Sequence, residues 1–345
     1  MNQPKRILIF NVNWIGDVLF STAVIRNVRR RFPKSFIACV IPSRCYPVLK
    51  GNPHLDEIII FDEKDRHENV FSKFSFVRSL KSRNFDLALL LHGSLTRALI
   101  CRLAGIPERV GYNTKNRGFL LTKKIPVPAR DSLHRIDYYL NIIEQAGIKP
   151  EDRYLEIFFD EADEKFSNGF LAKLGVKKDD LLIGANAGGN WFPKRWPPEH
   201  WAKLADDLII HLGAKVIFTG SQQDLALTKK IAGLMKEKPL FAAGALTLKQ
   251  SAALFKRLDV FICGDTGPLH IANAVGTKKI LAIFGPTDPA VTAPFPLKNV
   301  VLFQKDVGCK IPCYVVNCKD NRCMKAVTPD EVFDKINNQH PASSI

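Results

Sequence analysis

An acidic side chain follows the first apolar segment of the sequence. Residues 7–10 have the composition of a buried strand, and the polar turn after them ends in Gly16 and Asp17. From Phe20 to Phe32, apolar residues recur at every fourth position, which predicts a helix. Strand ends of doubly wound α/β domains open onto the ligand crevice, so Asp17 is a candidate for proton-transfer chemistry. Helix capping is the alternative, since a first-turn acid complements the positive end of the helix dipole.

A second polar pattern lies in residues 261–289, FICGDTGPLHIANAVGTKKILAIFGPTDP. Two strand-like runs occur there, and each is followed by a polar turn that contains glycine and threonine. Glycine lets a phosphate approach the backbone, and the start of a helix offers free N–H donors. A structural turn with a helix cap explains Gly264 and Asp265 as well, but not the repetition of the design after the next strand. The pattern predicts a diphosphate site with the candidate residues Asp265, Thr266, Gly267, His270 and Asn273.

A lysine occupies a comparable position in residues 186–201, NAGGNWFPKRWPPEHW. This loop also follows a predicted strand and precedes a predicted helix, and its Gly-rich turn adds Asn186 and Gly188 to the candidates. A lysine ammonium neutralises a phosphate as a point charge. Lys194 is therefore a candidate phosphate contact, with a solvated surface lysine as the alternative.

Alternating strands and helices must position these residues, a pattern that predicts parallel sheets covered on both faces. The predicted strands of the first half are 7–10, 37–41, 57–61, 86–91 and 109–112. Those of the second half are 181–186, 215–219, 260–263 and 280–284. The fold class is therefore α/β, with two Rossmann-like domains at residues 1–165 and 166–345 and a charged linker region within 149–180. Ligands usually bind in the cleft between two such domains.

The overall composition is typical of a soluble globular protein, with 46% hydrophobic and 24% charged residues among 345. No apolar run approaches the ~18 residues of a membrane span, and the first residues lack a signal sequence, so a cytoplasmic location is expected. The net charge is +16, and residues 1–50 hold nine Lys and Arg but one acid. A positive field attracts polyanions, namely nucleic acid, an anionic membrane surface or a phosphorylated substrate.

Eight cysteines in a chain of this kind are more typical of reduced thiols than of disulfides. Four of them cluster at spacings of three, four and four residues: Cys309, Cys313, Cys318 and Cys323. The spacing is too irregular for a paired CxxC zinc site. The cluster is compatible with a structural metal site, with unligated thiols or with an occasional disulfide.

Four strings of the sequence resemble those of family 9 glycosyltransferases, the lipopolysaccharide heptosyltransferases. They are NWIGDVLFSTAVIRNVRRRFP, PKRWPPEHWAKLA, GDTGPLHIANAVGTKKILAIFGPTDP and CMKAVTPDEV, and they occur in the family's order over nearly the whole chain. The resemblance implies the GT-B architecture, in which an N-terminal acceptor-binding domain and a C-terminal nucleotide-sugar-binding domain face each other across a cleft. The last helix is then a candidate to pack back on the N-terminal domain.

The resemblance also implies a reaction. The family transfers a heptose with inversion from ADP-L-glycero-D-manno-heptose to the inner core of lipopolysaccharide, at the cytoplasmic face of the inner membrane. No cofactor and no catalytic metal are implied, and the ADP-sugar acts as a co-substrate. The implied partners are a nucleotide-sugar donor, an anionic lipid-linked saccharide acceptor and the membrane surface in peripheral contact, without a specific nucleic acid.

The family's motifs assign roles to individual residues of this sequence. The acid of the GD motif, here Asp17, is implied as the general base that removes the acceptor hydroxyl proton. Lys194 is implied at the donor phosphates, and the DTG residues with His270 at the diphosphate and departing sugar. The implied nucleoside contacts are Asp224 or Gln222, and Leu246 with Thr247. A carboxylate would suit ribose hydroxyls better than the amide of Gln222 does.

The basic N-terminal half suits an anionic acceptor. Inner-core acceptors have carboxylates and phosphates, for which Arg97, Lys115 and Arg117 are candidate contacts. A solvated surface role is the alternative for each of the three. His92 faces the same crevice because it ends a predicted strand, with a buried, hydrogen-bonded histidine as the alternative.

Two other functions are compatible with the sequence. One is a transferase or epimerase of the same architecture that uses another nucleotide sugar, because a fold does not fix a function. The other is a basic nucleic-acid-binding protein, although the sequence has no helix-turn-helix, zinc-finger or RNP-type pattern.

Overall fold

The computed structural model describes residues 3–338, and the chain divides into two units between Phe158 and Phe159. The first unit contains a six-stranded parallel sheet with the order β3-β2-β1-β4-β5-β6. Residues 7–10 of the central strand are at most 1% exposed, because a parallel sheet is covered on both faces. The strands are β1 (Arg6–Phe10), β2 (Phe36–Ile41), β3 (Glu57–Ile60), β4 (Leu87–Leu90), β5 (Glu108–Tyr112) and β6 (Lys123–Ile125).

Six helices accompany these strands: α1 to α5 lie between strands, and α6 follows β6. In the unit's core, α2 packs against α6 and α4 against α5. Helices α2, α5 and α6 are amphipathic, with apolar residues of one face in the core. The helices are α1 (Ile15–Phe20), α2 (Thr22–Arg31), α3 (Tyr46–Leu49), α4 (Val70–Lys81), α5 (Leu95–Leu103) and α6 (Arg135–Gln145).

The second unit repeats the scheme with a six-stranded parallel sheet of order β12-β11-β10-β7-β8-β9. Its strands are β7 (Leu182–Asn186), β8 (Lys215–Phe218), β9 (Leu240–Phe241), β10 (Val260–Gly264), β11 (Lys279–Ile283) and β12 (Val300–Phe303). Its helices are α7 (Glu161–Lys173), α8 (Pro198–Leu212), α9 (Leu225–Ala232), α10 (Leu248–Arg257), α11 (Gly267–Ala274), α12 (Pro289–Thr292), α13 (Arg322–Lys325) and α14 (Pro329–Asn337).

The two sheets have the same topology. Numbered from each unit's own first strand, both follow the order 3-2-1-4-5-6 of the Rossmann fold. The first three strands are added toward one edge of the sheet and the next three toward the other edge, so the strand order switches between β1 and β4 and between β7 and β10. Ligands of such sheets bind at this switch point, outside the carboxyl ends of the strands. The predicted α/β class with two Rossmann-like units is confirmed.

Two parts of the sequence-based prediction differ from the structure, and the packing of the last helix on the N-terminal domain stays a prediction. The strands β6, β9 and β12 were not predicted; each lies at a sheet edge and has at most four residues. The predicted linker region contains α7, which begins with a capping box between Asp160 and Asp163, and the predicted boundary at residues 165 and 166 falls inside this helix. The last described helix, α14, packs against α8 of its own unit. Among residues 3–338, no helix is long and apolar enough to cross a membrane.

Candidate functional site

Asp17 lies in the first turn of α1, which is joined to the carboxyl end of β1 by residues 11–14. Its side chain is half-buried, and its Oδ1 accepts a hydrogen bond of 2.9 Å from the hydroxyl of Tyr139 on α6. Burial, and then the negative charge of Asp17, raise the pKa of Tyr139 well above its ordinary value. Tyr139 therefore remains a protonated donor at any physiological pH, and it fixes the orientation of the Asp17 carboxylate.

A buried arginine supports the loop between β1 and α1. Arg97 is 2% exposed, and its guanidinium donates to the backbone carbonyl of Asn11 and to the side-chain oxygen of Asn13. It also lies 3.8 Å from the carboxylate of Glu63 and 5.2 Å from the ring centre of Phe10. Burial lowers the pKa of Arg97 to about 10, so the side chain stays charged at neutral pH. The loop that presents Asp17 is thus held over a fixed positive charge.

A second buried arginine shapes the end of β4. Arg117 is fully buried; its Nε donates to the Tyr112 carbonyl at 2.9 Å and its Nη1 to the His92 carbonyl at 2.6 Å. Lys115, two residues earlier, is exposed and has a left-handed backbone with φ of 52°. Both arginines expected at the acceptor thus have a structural role that the sequence did not reveal. The acceptor contacts of Arg97, Lys115 and Arg117 remain predictions.

His92 is half-buried at the end of β4 and is hydrogen-bonded. Its Nδ1 accepts the backbone N–H of Ser94 at 3.1 Å. Burial, together with the positive charges of Arg97, Arg117 and Lys115, lowers the pKa of His92 to about 4. The imidazole is therefore neutral at physiological pH and adds no positive charge to this strand end.

In the second unit, the two predicted phosphate motifs meet at the switch point. Lys194 lies in a short 3₁₀ turn after β7, and Asp265 directly follows β10. The Lys194 Nζ is 2.7 Å from the Asp265 Oδ2 and 3.2 Å from the Asp265 carbonyl oxygen. The hydroxyl of Thr292 donates to the same Oδ2 at 3.1 Å. The Asp265 side chain is only 5% exposed, so the surrounding chain fixes its position. The Lys194 ammonium that pairs with it therefore has a defined position too, while 21% of the lysine side chain is exposed.

The DTG residues form the entrance to helix α11. Thr266 is the N-cap residue with an extended backbone, and Gly267 is the first helical residue. In the first turn of α11, Pro268 has no N–H and the Leu269 N–H donates to the Thr266 carbonyl at 3.1 Å, so Thr266 and Gly267 supply the N–H groups at this helix start. His270 is 3% exposed, and its Nε2 lies 3.9 Å from the Asp265 Oδ1. Asn273 donates to the Phe295 carbonyl at 2.7 Å, which is a structural role.

Two glycines let the loops of this strand end approach closely. Gly189 has a φ of 151°, and a Cβ there would lie 3.2 Å from the Thr266 methyl carbon. A Cβ on Gly188 would lie 2.2 Å from the Oδ1 of Asp224, so a larger residue there would require the loop or that carboxylate to move. Asn186 is 3% exposed and donates to the Thr219 carbonyl at 3.2 Å. The candidates Asn186, Gly188 and Asp224 thus lie around the ends of β7 and β8.

The remaining predicted nucleoside contacts follow β8, in the case of Gln222, and β9, in the case of Leu246 and Thr247. Thr247 is the N-cap of α10, where its side chain accepts from the Gln250 N–H and its own N–H donates to the Gln250 side chain. Leu246 precedes it and is partly buried. Gln222 lies against Gly244, where a Cβ would come within 2.3 Å of its side-chain oxygen. Thr247 has a capping role that the sequence analysis missed, although the T-x-x-Q spacing is a capping-box signal.

Sequence reasoning also missed the partners of the two carboxylates. Tyr139 lies in the apolar face of α6, and Thr292 ends the short helix α12. A buried tyrosine hydroxyl usually finds a hydrogen-bond partner. The sequence therefore indicates that Tyr139 has a partner, but not which residue it is. The four clustered cysteines are free thiols, and within residues 3–338 no group of three or more His, Cys, Asp or Glu side chains is placed to hold a metal.

Solved structures with the same fold support the class of protein that this topology suggests. A family 9 glycosyltransferase from Veillonella parvula superposes with a TM-score of 0.88 at 26% identity, over 97% of this chain and 96% of that one. The ADP-heptose LPS heptosyltransferase II of Escherichia coli gives a TM-score of 0.79 at 23% identity, over 96% and 98%. The fold is therefore that of GT-B-like glycosyltransferases, with two Rossmann-like units.

Sequence comparisons identify the family. The model of glycosyltransferase family 9 (heptosyltransferase) matches residues 73–321, and this chain belongs to that family and is a glycosyltransferase. Lipooligosaccharide heptosyltransferase 2 of Haemophilus ducreyi is 28% identical over 96% of this chain and 98% of its own length. Lipopolysaccharide heptosyltransferase 2 of Escherichia coli is 26% identical over 86% of this chain and 87% of its own length. The resemblance found in the four sequence strings is confirmed.

Proposed function

We propose that this glycosyltransferase moves a heptose from ADP-L-glycero-D-manno-heptose to the inner core of lipopolysaccharide, with inversion and with Asp17 as the general base. The observation that supports it most directly is the Lys194–Asp265 pair at the entrance to α11. A fixed ammonium beside the first turn of a helix is suited to a diphosphate. The names of the relatives, which include heptosyltransferases of lipopolysaccharide and one for ADP-heptose, favour this donor and acceptor.

The reaction is a single displacement at the anomeric carbon. The acceptor hydroxyl oxygen forms the new bond while the bond from carbon to the diphosphate oxygen breaks and leaves its electron pair on ADP. The hydroxyl proton passes to the Asp17 carboxylate, which lies in the first turn of α1 and is oriented by the Tyr139 hydroxyl. No cofactor and no metal take part, and the ADP-sugar is the co-substrate.

The charge that develops on the departing ADP is stabilised in the second unit. Lys194 supplies a positive charge, and the backbone N–H groups of Thr266 and Gly267 supply aligned donors. Asp265 and Thr292 do not contact the leaving group in this scheme. They hold the lysine in place before the donor binds, so that little reorganisation is needed during reaction.

The acceptor is held by the basic first unit at the cytoplasmic face of the inner membrane. Arg97 and Arg117 contribute buried positive charges near the ends of β1 and β4, and Lys115 is exposed in the same region. A positive field at these strand ends attracts the carboxylates and phosphates of an inner-core acceptor. Contact with the membrane is peripheral.

The decisive experiment replaces the base without changing its shape. We expect Asp17→Asn to bind ADP-heptose with unchanged affinity, measured by calorimetry, while kcat falls by about 10³-fold.

A second experiment tests the donor and the acceptor. Wild-type protein should be stabilised by ADP-heptose and not by UDP-sugars, and mass spectrometry should identify transfer products on truncated lipid acceptors.

A first-turn aspartate elsewhere supplies the control. Asp137 occupies the first turn of α6 and pairs with Arg153 at 2.8 Å on the surface. Asp137→Asn should change thermal stability slightly and turnover not at all. Turnover close to wild type in Asp17→Asn would show that Asp17 is a helix cap and would end the assignment.

A further inference from the structure

Two neighbouring helices of the first unit expose apolar side chains on their outer sides. On α4, Phe71 is 86% and Phe74 66% exposed. On α5, leucines recur at every fourth residue and form one exposed stripe. Phe119, in the turn that packs beside α5, is 73% exposed. We call this surface the α4–α5 face; its members are Phe71, Phe74, Leu95, Leu99, Leu103 and Phe119.

The folded core does not require these side chains. Helix α4 contributes Phe76, Val77 and Leu80 to the core from its other side. Helix α5 contributes a separate set, Ala98, Ile100 and Cys101. The two helices also pack against each other, so their outer sides belong to one layer of the unit. Several large apolar side chains exposed on elements that pack side by side are typical of an interaction site.

The charged residues of helices α4 and α5 have one sign, although the segment before α4 contains the exposed acids Asp65 and Glu68. Neither helix contains an aspartate or glutamate, whereas both contain basic residues. Arg78 and Lys81 on α4 and Arg102 on α5 are exposed. A partner that covers the apolar residues must therefore tolerate, or use, several positive charges at the same surface.

We propose that the α4–α5 face is the surface by which this enzyme docks on an anionic lipid bilayer. Phe71, Phe74 and the leucine stripe enter the headgroup region, and the basic residues bind lipid phosphates. Interfacial helices combine Phe and Leu with Lys and Arg in this way, whereas lysine is depleted at protein–protein interfaces. The inference rests on the proposed function only in that a lipid-linked acceptor gives the enzyme a reason to reach the membrane.

The test uses the full-length protein and flotation with vesicles of phosphatidylglycerol and phosphatidylethanolamine. We expect wild-type protein to float with these vesicles and to do so less with pure phosphatidylcholine. Phe71→Ser with Phe74→Ser should lower the partition coefficient at least about tenfold, because two exposed rings leave the interface. Neutralising Arg78, Lys81 and Arg102 to Gln should remove the preference for anionic lipid.

A matched double variant controls for the loss of exposed apolar surface. Phe166 and Ile210 are about half exposed on α7 and α8 of the second unit. Phe166→Ser with Ile210→Ser should float like wild type. All variants should keep the wild-type melting temperature and wild-type transfer to a delipidated, water-soluble acceptor.

The outcomes separate this inference from the proposed function. Wild-type flotation by the Phe71→Ser, Phe74→Ser variant overturns the docking face and leaves the transferase activity standing. Absence of transfer to the soluble acceptor by wild-type protein overturns the function whatever the flotation shows. A wild-type protein that ignores vesicles and forms a dimer, which the same double variant dissociates, would assign the face to a second copy of the chain instead.

Discussion

The two units share one strand order but place opposite charges at equivalent strand ends. After the first strand of each unit come Asp17 in one and the loop with Lys194 in the other. After the fourth strand the order is reversed, with Arg97 on α5 in the first unit and Asp265 in the second. The topology thus decides where chemistry is placed, and the side chains decide which chemistry it is.

The carboxylates of the two units, Asp17 and Asp265, also have hydrogen-bond partners that differ in charge. Asp265 is bonded by the ammonium of Lys194 at 2.7 Å, whereas Asp17 accepts the neutral phenol of Tyr139 at 2.9 Å. An ammonium fixed beside a helix N-terminus suits the binding of an anion. A carboxylate held by a neutral donor suits the acceptance of a proton. Under the proposed function, one unit therefore binds and the other carries out proton transfer.

Of three substitutions that test this comparison, loss of Lys194, in the second unit, should have the largest effect on catalysis. We expect Lys194→Met to lower kcat/KM by about 10²–10³-fold and to weaken ADP binding, because the cation at the diphosphate is gone. The melting temperature should also fall, since the 5% exposed Asp265 loses its ion pair. Lys203→Met is the control, because Lys203 pairs with Asp207 and Asp330 at an exposed surface. Wild-type ADP affinity in Lys194→Met would remove the contrast between the units.

A methyl group on the Gly-rich loop should have an intermediate effect. Gly188→Ala puts a Cβ 2.2 Å from the Asp224 carboxylate, so the loop or the carboxylate must move. We expect the Kd for the donor to rise about tenfold, measured by calorimetry. Gly169→Ala in helix α7 meets nothing within 4 Å and should leave binding unchanged. Equal donor affinity in both variants would show that the close approach at Gly188 serves folding alone.

Removal of a single hydroxyl should have the smallest effect and sharpens the role of the first unit. We expect Tyr139→Phe to lower kcat about threefold while the donor Kd and the melting temperature stay close to wild type. The reason is that the Asp17 carboxylate loses its orienting donor without losing its charge. Tyr138→Phe is the control, because its ring packs on Tyr112 with centroids 4.5 Å apart. A fall in stability without a fall in kcat would make Tyr139 a packing residue.

The buried strands of both sheets were predictable because their apolar runs are nearly continuous. The predicted strand at 260–263, for instance, agrees with β10 to one residue. The strands β6, β9 and β12 escaped prediction because edge strands are short and only partly buried, so their sequences contain a weak signal. Helix α7 was missed because it is largely solvated and highly charged, although its capping box is visible in the sequence.

The candidate site was predictable in its chemistry more than in its contacts. The sequence placed Lys194 and Asp265 after neighbouring strands, and the structure joins them directly. It could not reveal that Arg97 and Arg117 turn inward to bind backbone carbonyls. The sequence does not distinguish a solvated arginine from a fully buried one. The surrounding chain determines which backbone carbonyls the guanidinium can reach.

The sequence by itself determined the α/β class, the family and the identity of the residues at the strand ends. It could do so because strand periodicity, glycine turns and first-turn acids are local patterns of neighbouring residues. Only the tertiary structure decided which side chains from distant segments meet, such as Tyr139 with Asp17 across 122 positions of the chain. Such contacts depend on how helices pack on a sheet, which no short stretch of sequence specifies.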